Sequence, residues 1–220
     1  MRCVVMSDLH GQLPFGEIPK CDVVLIAGDI MPAINHSFSV QDYFLKHVFS
    51  PWCESLPCKR VFFIAGNHDF ALRGLSKGYI NNKVAYLCDS GDVYKGVSFY
   101  GTPWSPVFNQ WAFMKDDEDL AKSFDLIPEN TDVLLTHVPP ASSKGFGMIM
   151  QDPYAEEDLG SVRLSEALKK KNVKYCFSGH IHTGNHTLSR LEDDENTICA
   201  NVSLLDERYM RAYRPLILDL

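Results

Sequence analysis

Apolar residues in this chain gather in short, nearly continuous runs. Cys3 to Met6, Val23 to Ala27, Val61 to Ala65, Val133 to Leu135 and Val173 to Phe177 are each bounded by polar or glycine positions. A strand covered on both faces reads this way, whereas a strand with one wet face alternates. Between the second and third runs, Val40, Tyr43, Phe44, His47 and Val48 recur at helical spacing, and Pro51 is expected to close that helix. Strand, helix, strand implies a right-handed parallel crossover. Ala71 to Lys77 predicts a short helix or turn, Lys83 to Leu87 a further strand, and Val93 to Tyr100 a hairpin about Lys95-Gly96 that makes the sheet mixed. The charge run Lys115 to Asp119 predicts the solvated start of a helix through Phe124, and Ser161 caps another that carries Val162, Leu164, Ala167 and Leu168. Thr187 to Leu191 and Thr197 to Ser203 predict a hairpin, and Arg214 to Leu220 a last strand. No repeat or low-complexity linker divides the chain, so 1–220 reads as a single α/β domain.

The chemistry lies directly after the apolar runs. The first is followed by Asp8 and His10, the second by Asp29, the third by Asn67, His68 and Asp69, the fourth by His137, and the fifth by His180 and His182. A parallel sheet brings such strand ends to one edge, so residues far apart in sequence can converge there. In Gly179-His180-Ile181-His182 the two imidazoles leave a strand end one residue apart, and alternation points them in opposite directions. That suits two neighbouring metal ions better than two faces of one. Three carboxylate or amide oxygens (Asp8, Asp29, Asn67) with four imidazoles (His10, His137, His180, His182) suffice for two divalent cations and leave His68 spare. Mixed oxygen and nitrogen donors suit manganese, with iron or zinc as alternatives, rather than calcium or magnesium. A shared carboxylate, best supplied by Asp29, would join the ions, which would then turn a bridging water into hydroxide for attack on a phosphoester. His68 could protonate the leaving group, with Asp69 near enough in sequence to orient its ring. His36, His47 and His186 lack a strand-end position and read as structural, His186 being the one expected nearest the site.

Composition narrows the substrate. At 220 residues and 45% hydrophobic content the chain can bury a substantial core, and its net charge of −7 offers no general attraction to polyanions. The Lys169-Lys170-Lys171 cluster is explained by a helix C-terminus, so an extended nucleic acid is disfavoured against a small phosphoester. Seven cysteines, an odd number without a Cys-x-x-Cys pair, read as reduced core residues of a cytoplasmic protein. There is no signal-peptide pattern, and no apolar stretch approaches the roughly 20 residues of a membrane helix. Two segments allow two readings each. Trp104, Phe108, Trp111 and Phe113 either grip a base or ring or pack onto the core, and the connection 138–160 is either a lid or a surface excursion. The acidic stretch 192–196 reads as a solvated hairpin turn and fits no EF-hand spacing.

Asp8-Leu9-His10, Gly28-Asp29, Gly66-Asn67-His68-Asp69, Thr136-His137 and Gly179-His180-Ile181-His182 occur in an order that resembles the calcineurin-like metallophosphoesterase superfamily. The resemblance implies a four-layer sandwich in which two mixed β-sheets are flanked by helices. It also implies one metal held by Asp8, His10, Asp29 and His182, a second held by Asp29, Asn67, His137 and His180, and His68 contacting the phosphoryl group with Asp69 behind it. Tyr100-Gly101-Thr102-Pro103-Trp104, Asn109-Gln110-Trp111-Ala112-Phe113, His137-Val138-Pro139-Pro140 and Asn201-Val202-Ser203 look like the small metallophosphoesterase-domain proteins related to cyclic nucleotide phosphodiesterases. Gly28-Asp29-Ile30-Met31-Pro32-Ala33 departs from the Gly-Asp-x-x-Asp-Arg-Gly run of phosphoprotein phosphatases, which argues against phosphoprotein substrates.

The expected activity is therefore hydrolysis of a small, nucleotide-like phosphodiester, a cyclic nucleotide being one case. A phosphomonoesterase of nucleotidase type is the nearest alternative, followed by a nuclease, which needs a basic track. An idle protein-binding scaffold comes last, because His68 and the full ligand set are in place.

Overall fold

The computed structural model describes residues 1–75, 78–152, 155–191 and 196–220. In chain order its elements begin with β1 (Arg2–Met6), β2 (Val23–Ala27), α1 (Phe38–Phe44), a π-helical turn (Leu45–Phe49), α2 (Ser50–Ser55) and β3 (Arg60–Ile64). Next come β4 (Gly78–Tyr79), β5 (Val84–Tyr86), β6 (Ser90–Tyr94), β7 (Val97–Thr102), β8 (Ser105–Pro106), β9 (Met114–Lys115) and α3 (Asp117–Asp125). The chain continues through β10 (Val133–Thr136), β11 (Met148–Asp152), β12 (Ala155–Asp158), α4 (Val162–Lys171), β13 (Tyr175–Ser178), β14 (Ser189–Arg190), β15 (Ile198–Asn201) and β16 (Leu216–Asp219).

Among the described residues, two six-stranded sheets run in the orders β16-β1-β2-β3-β5-β4 and β14-β15-β13-β10-β7-β6. The inner strands of both are parallel, and both outer strands of each are antiparallel. The sheets stack face to face. Cys3, Val5, Leu25 and Ile64 of the first sheet meet Phe99, Val133, Leu135 and Phe177 of the second in one apolar cluster. The alternate residues Val4, Met6, Ile26 and Phe63 point the other way, onto Phe44, Phe49 and Trp52 of the helical layer. On the far side, Leu134 and Cys176 pack against Leu120 and Phe124 of α3 and Leu164 and Leu168 of α4. Every inner strand is thus covered twice, which is why its sequence is continuously apolar. The four-layer arrangement with two mixed sheets is the one expected.

Both outer helices start as the sequence indicates. Asp116 accepts the amide of Asp119 at the head of α3, and Ser161 accepts that of Leu164 at the head of α4. The hairpin at Lys95-Gly96 has both residues at positive φ, 51° and 79°, the backbone of a type I′ turn. The helix after β2 differs from expectation. Val40, Tyr43 and Val48 lie on its exposed side, and the buried side is Gln41, Phe44, Phe49, Trp52 and Cys53. Pro51 does not close it but sits in the first turn of α2. Its missing amide and its ring are incompatible with a regular preceding α-turn, and the chain there widens into the π turn. The 138–160 connection contains the β11–β12 hairpin rather than an unstructured excursion. Most of the acidic turn, 192–195, lies outside the described residues. All seven cysteines are free, and among the described residues no helix is long and apolar enough to cross a membrane.

Candidate metal centre

The ligand-type residues come from the ends of β1, β2 and β3 in one sheet and of β10 and β13 in the other. The convergence therefore crosses the seam between two sheets, where a single parallel sheet would have given one edge. Asp8, His10, Asp29 and His180 all have positive φ, between 43° and 67°, so the chain turns sharply as it leaves each strand. That conformation costs a non-glycine residue about 1–2 kcal/mol, and its concentration here marks strain held by the surrounding packing. Two glycines make room. A Cβ on Gly66 would collide with Asp29 Oδ1, and one on Gly179 with Asp8 Oδ2.

Asp8, Asp29 and His137 are completely or almost completely buried, and His10, Asn67 and His182 are at most 8% exposed. His182 Nε2 lies 3.5 Å from Asp8 Oδ1. Asp29 Oδ2 is 3.6 Å from His10 Nε2 and 3.4 Å from His137 Nε2, so one carboxylate oxygen faces both halves of the cluster. His137 Nε2 is also 2.9 Å from Asn67 Oδ1, and the His137 and His180 rings are 4.9 Å apart. Donor atoms of Asp8, His10 and His182 lie within 4.8 Å of one another, as do those of Asp8, Asp29 and His137.

The outer contacts fix the inner ones. His137 Nδ1 bonds the Ala27 carbonyl and His182 Nδ1 the Asp206 carbonyl, which leaves Nε2 of each ring for the centre. Ser203 Oγ donates to Asp8 Oδ2 at 2.6 Å. Asn201 donates to the carbonyls of Phe146, Gly179 and Ile181 and so holds the loop that carries His180 and His182. Asn201 is the last residue of β15, and Ser203 and Asp206 follow it; that strand end bears no imidazole, and nothing in the local pattern assigns these three their roles.

Charge is divided unevenly. Burial would push the carboxyls of Asp8 and Asp29 up, but His182 for the first and His137 for the second outweigh it and hold both below the usual range. Burial likewise pulls His137 and His182 down, yet Asp29 and Asp8 carry them up to about 9. His10 and His180 are depressed by burial to about 4 and about 3. Both nitrogens of the buried His10 ring lack a hydrogen-bond partner. An imidazole left unpaired costs free energy unless something else is meant to occupy it, and a divalent cation beside Asp8 and Asp29 is the group that fits. The donor set of three oxygens and four nitrogens matches a transition-metal site.

His68 lines the adjoining cavity of about 400 Å³. Its amide donates to Asp29 Oδ1 at 2.8 Å, and burial lowers its pKa. Asp69 does not orient it. The Asp69 carboxylate accepts from the amides of Gly66, Met31 and Ile30, pinning the loop after β3 to the loop after β2. Burial, with Asp29 nearby, raises it to about 7. The side chain facing the His68 ring is His36, whose Nε2 is 3.0 Å from His68 Nδ1, although sequence position alone assigns it to structure. His186 stays outside the cluster, stacked on Tyr213 at 3.5 Å. The aromatic segment divides. Trp104 and Phe113 pack on the core, while Phe108 and Trp111 line the cavity together with Tyr209 and Leu159.

The calcineurin-like phosphoesterase family model matches residues 1–184. The chain belongs to that family. Human metallophosphoesterase domain-containing protein 1 is 28% identical to this phosphoesterase over 246 residues, covering 100% of this chain and 71% of the human one. A Caenorhabditis elegans UPF0046 protein is 27% identical over 242 residues, covering 100% and 81%. In fold the phosphoesterase is similar to protein TT1561 of Thermus thermophilus, with TM-score 0.57, 14% identity and coverage of 91% and 88%. It is also similar to the phosphopantetheinyl hydrolase of Mycobacterium tuberculosis, with TM-score 0.56, 13% identity and coverage of 97% and 95%.

Proposed function

We propose that this phosphoesterase hydrolyses a small phosphodiester carrying an aromatic or otherwise apolar group, nucleotide-like in character, with the help of two divalent cations. Asp8, His10, Asp29 and His182 would hold one cation, and Asp29, Asn67, His137 and His180 the other. When bound, such ions supply positive charge to the phosphoryl oxygens and acidify a water. Manganese suits the donor set, with iron and zinc as alternatives.

The observation that carries the diester reading is the make-up of the cavity. Beside the ligand cluster it presents Pro106, Val107, Phe108, Trp111, Leu159 and Tyr209, and among the described residues neither lysine nor arginine lines it. A monoester dianion is usually met by a cationic side chain. A diester brings one charge fewer and a second organic group, for which the apolar wall offers area. His68 serves as the acid that protonates the leaving oxygen, and the anionic phosphoryl group beside it favours the charged ring. Seven free thiols support a reducing, cytoplasmic setting.

Metal-stripped protein refilled with manganese should cleave bis-p-nitrophenyl phosphate faster than p-nitrophenyl phosphate. On a diester whose leaving group is an alkoxide, which needs a proton, His68→Ala should lower turnover by about 10²–10⁴-fold while metal content is kept. A preference for the monoester would replace the diester reading by a nucleotidase.

A further inference from the structure

His36 and Gln41 sit at the entry to α1 and one turn into it, and both reach the same residue. Gln41 is fully buried. Its Nε2 donates to the His68 carbonyl at 2.7 Å, and its Oε1 accepts the Ala71 amide at 2.9 Å. His36 Nε2 meets His68 Nδ1 at 3.0 Å. The His36 ring is itself held between Phe70, with centroids 5.3 Å apart, and Trp111, edge-on at 5.2 Å. The backbone before it is set by the Ser37 amide, which donates to Asn35 Oδ1. The His68 ring packs on Trp111 at 4.3 Å and edge-on to His10 at 4.8 Å. The segment 36–41, which leads into α1 and forms its first turn, therefore meets His68 both at its backbone carbonyl and at ring Nδ1.

We infer that His36 is a positioning residue for His68: it accepts the Nδ1 proton and thereby fixes the ring with protonated Nε2 toward the leaving oxygen. Asp69 cannot fill this role, because its carboxylate is committed to the backbone amides of Gly66, Ile30 and Met31. The inference rests on the general-acid reading of His68. In the step it supports, a hydroxide, formed from water that has already given one proton to bulk solvent, bonds to phosphorus as the bond to the leaving oxygen breaks and that oxygen takes the electron pair. The Nε2 proton of His68 passes to that oxygen, and His68 is left neutral with Nδ1–H still donated to His36. His36 neither gains nor loses a proton. A hydrogen-bond acceptor in this position does for the acid what the third member of a triad does for its histidine: it selects the tautomer and the orientation.

The test uses manganese-loaded protein and diesters of graded leaving groups, from p-nitrophenolate, which departs without a proton, to phenolate and an alkoxide, which need one. His36→Leu is expected to lower kcat by about 10-fold or more on the poor leaving groups, within the about 10²–10⁴-fold reach of the acid itself. On p-nitrophenyl esters it should change kcat little, with KM and metal content kept. His36→Gln, whose amide oxygen can stand where Nε2 stands, should restore most of the lost rate. Equal losses across the series, no loss on any ester, or a Gln variant no better than the Leu variant would overturn the inference. His68→Asn run in parallel separates the two levels. If it too is blind to the leaving group, the general-acid reading falls, and the inference with it. If it discriminates and His36→Leu does not, only the inference falls.

Discussion

Stripping the metals should make folding stability depend on pH in a window set by two histidines. In the metal-free protein His137 and His182 are raised from the ordinary 6.5 to about 9 by Asp29 and Asp8. A histidine whose folded pKa lies above its unfolded one contributes stability in full below the unfolded value, and loses it as pH rises through the folded value. The difference is worth roughly 3 kcal/mol for each ring. Metal-free stability should therefore fall by several kcal/mol between about pH 6.5 and pH 9.5, a large part of the about 5–15 kcal/mol typical of a domain. His10 and His180, depressed to about 4 and about 3, are already neutral there and do not contribute to the fall. Asp69, at about 7, titrates in the lower part of the window, and since its folded pKa is also raised its sign is the same and it adds to the fall there. Urea denaturation in chelator at a series of pH values measures the effect. Saturating manganese should abolish it, because coordinated imidazoles carry no proton to lose. Asp8→Asn should remove the His182 share and roughly halve the slope. A metal-free stability that is flat or rises across this window, or a slope indifferent to Asp8→Asn, would show that the carboxylates do not hold these rings charged.

Three further outcomes follow from the same contacts. Asp29→Asn removes the charge of the oxygen that faces both His10 and His137; metal content by elemental analysis should drop, and activity should fall by more than the about 10–100-fold typical of losing a supporting partner. Gly179→Ala drives a Cβ into Asp8 Oδ2 and Ser7 Oγ and should cost about 1–3 kcal/mol in a denaturation midpoint along with metal affinity; unchanged metal binding would count against the packing described. Gln41→Leu leaves the His68 carbonyl and the Ala71 amide without their partner, so it should destabilise by about 1–3 kcal/mol and, by loosening His68, lower kcat more than it raises KM.

The strands were legible because burial on both faces is a local instruction. Cys3 to Met6 can only be continuous if Cys3 and Val5 face one layer while Val4 and Met6 face another, and both layers exist. The ligand-type residues were legible for a related reason: each follows an apolar run within a few positions, so its place at a strand end is set by its immediate neighbours. In the region from α1 to α2 the local pattern points to the wrong face, because Val40, Tyr43 and Val48 repeat as buried positions would but are exposed. The face that packs is chosen by Gln41, Phe44 and Trp52, with a π turn before Pro51 shifting the register.

Local sequence dictates the set of sheltered strands and the inventory of side chains delivered at their ends. Which sheet each strand joins, and which partner each of those side chains meets, was decided by tertiary structure. His36 faces His68 across 32 positions, Ser203 reaches Asp8 across 195, and Asp69, adjacent to His68 in the chain, turns away to the amides of Ile30 and Met31. Periodicity reports burial because burial repeats with the backbone's own geometry. A hydrogen bond between distant segments leaves no such period, since it depends on how whole layers stack and on which buried polar atoms are then left to satisfy one another.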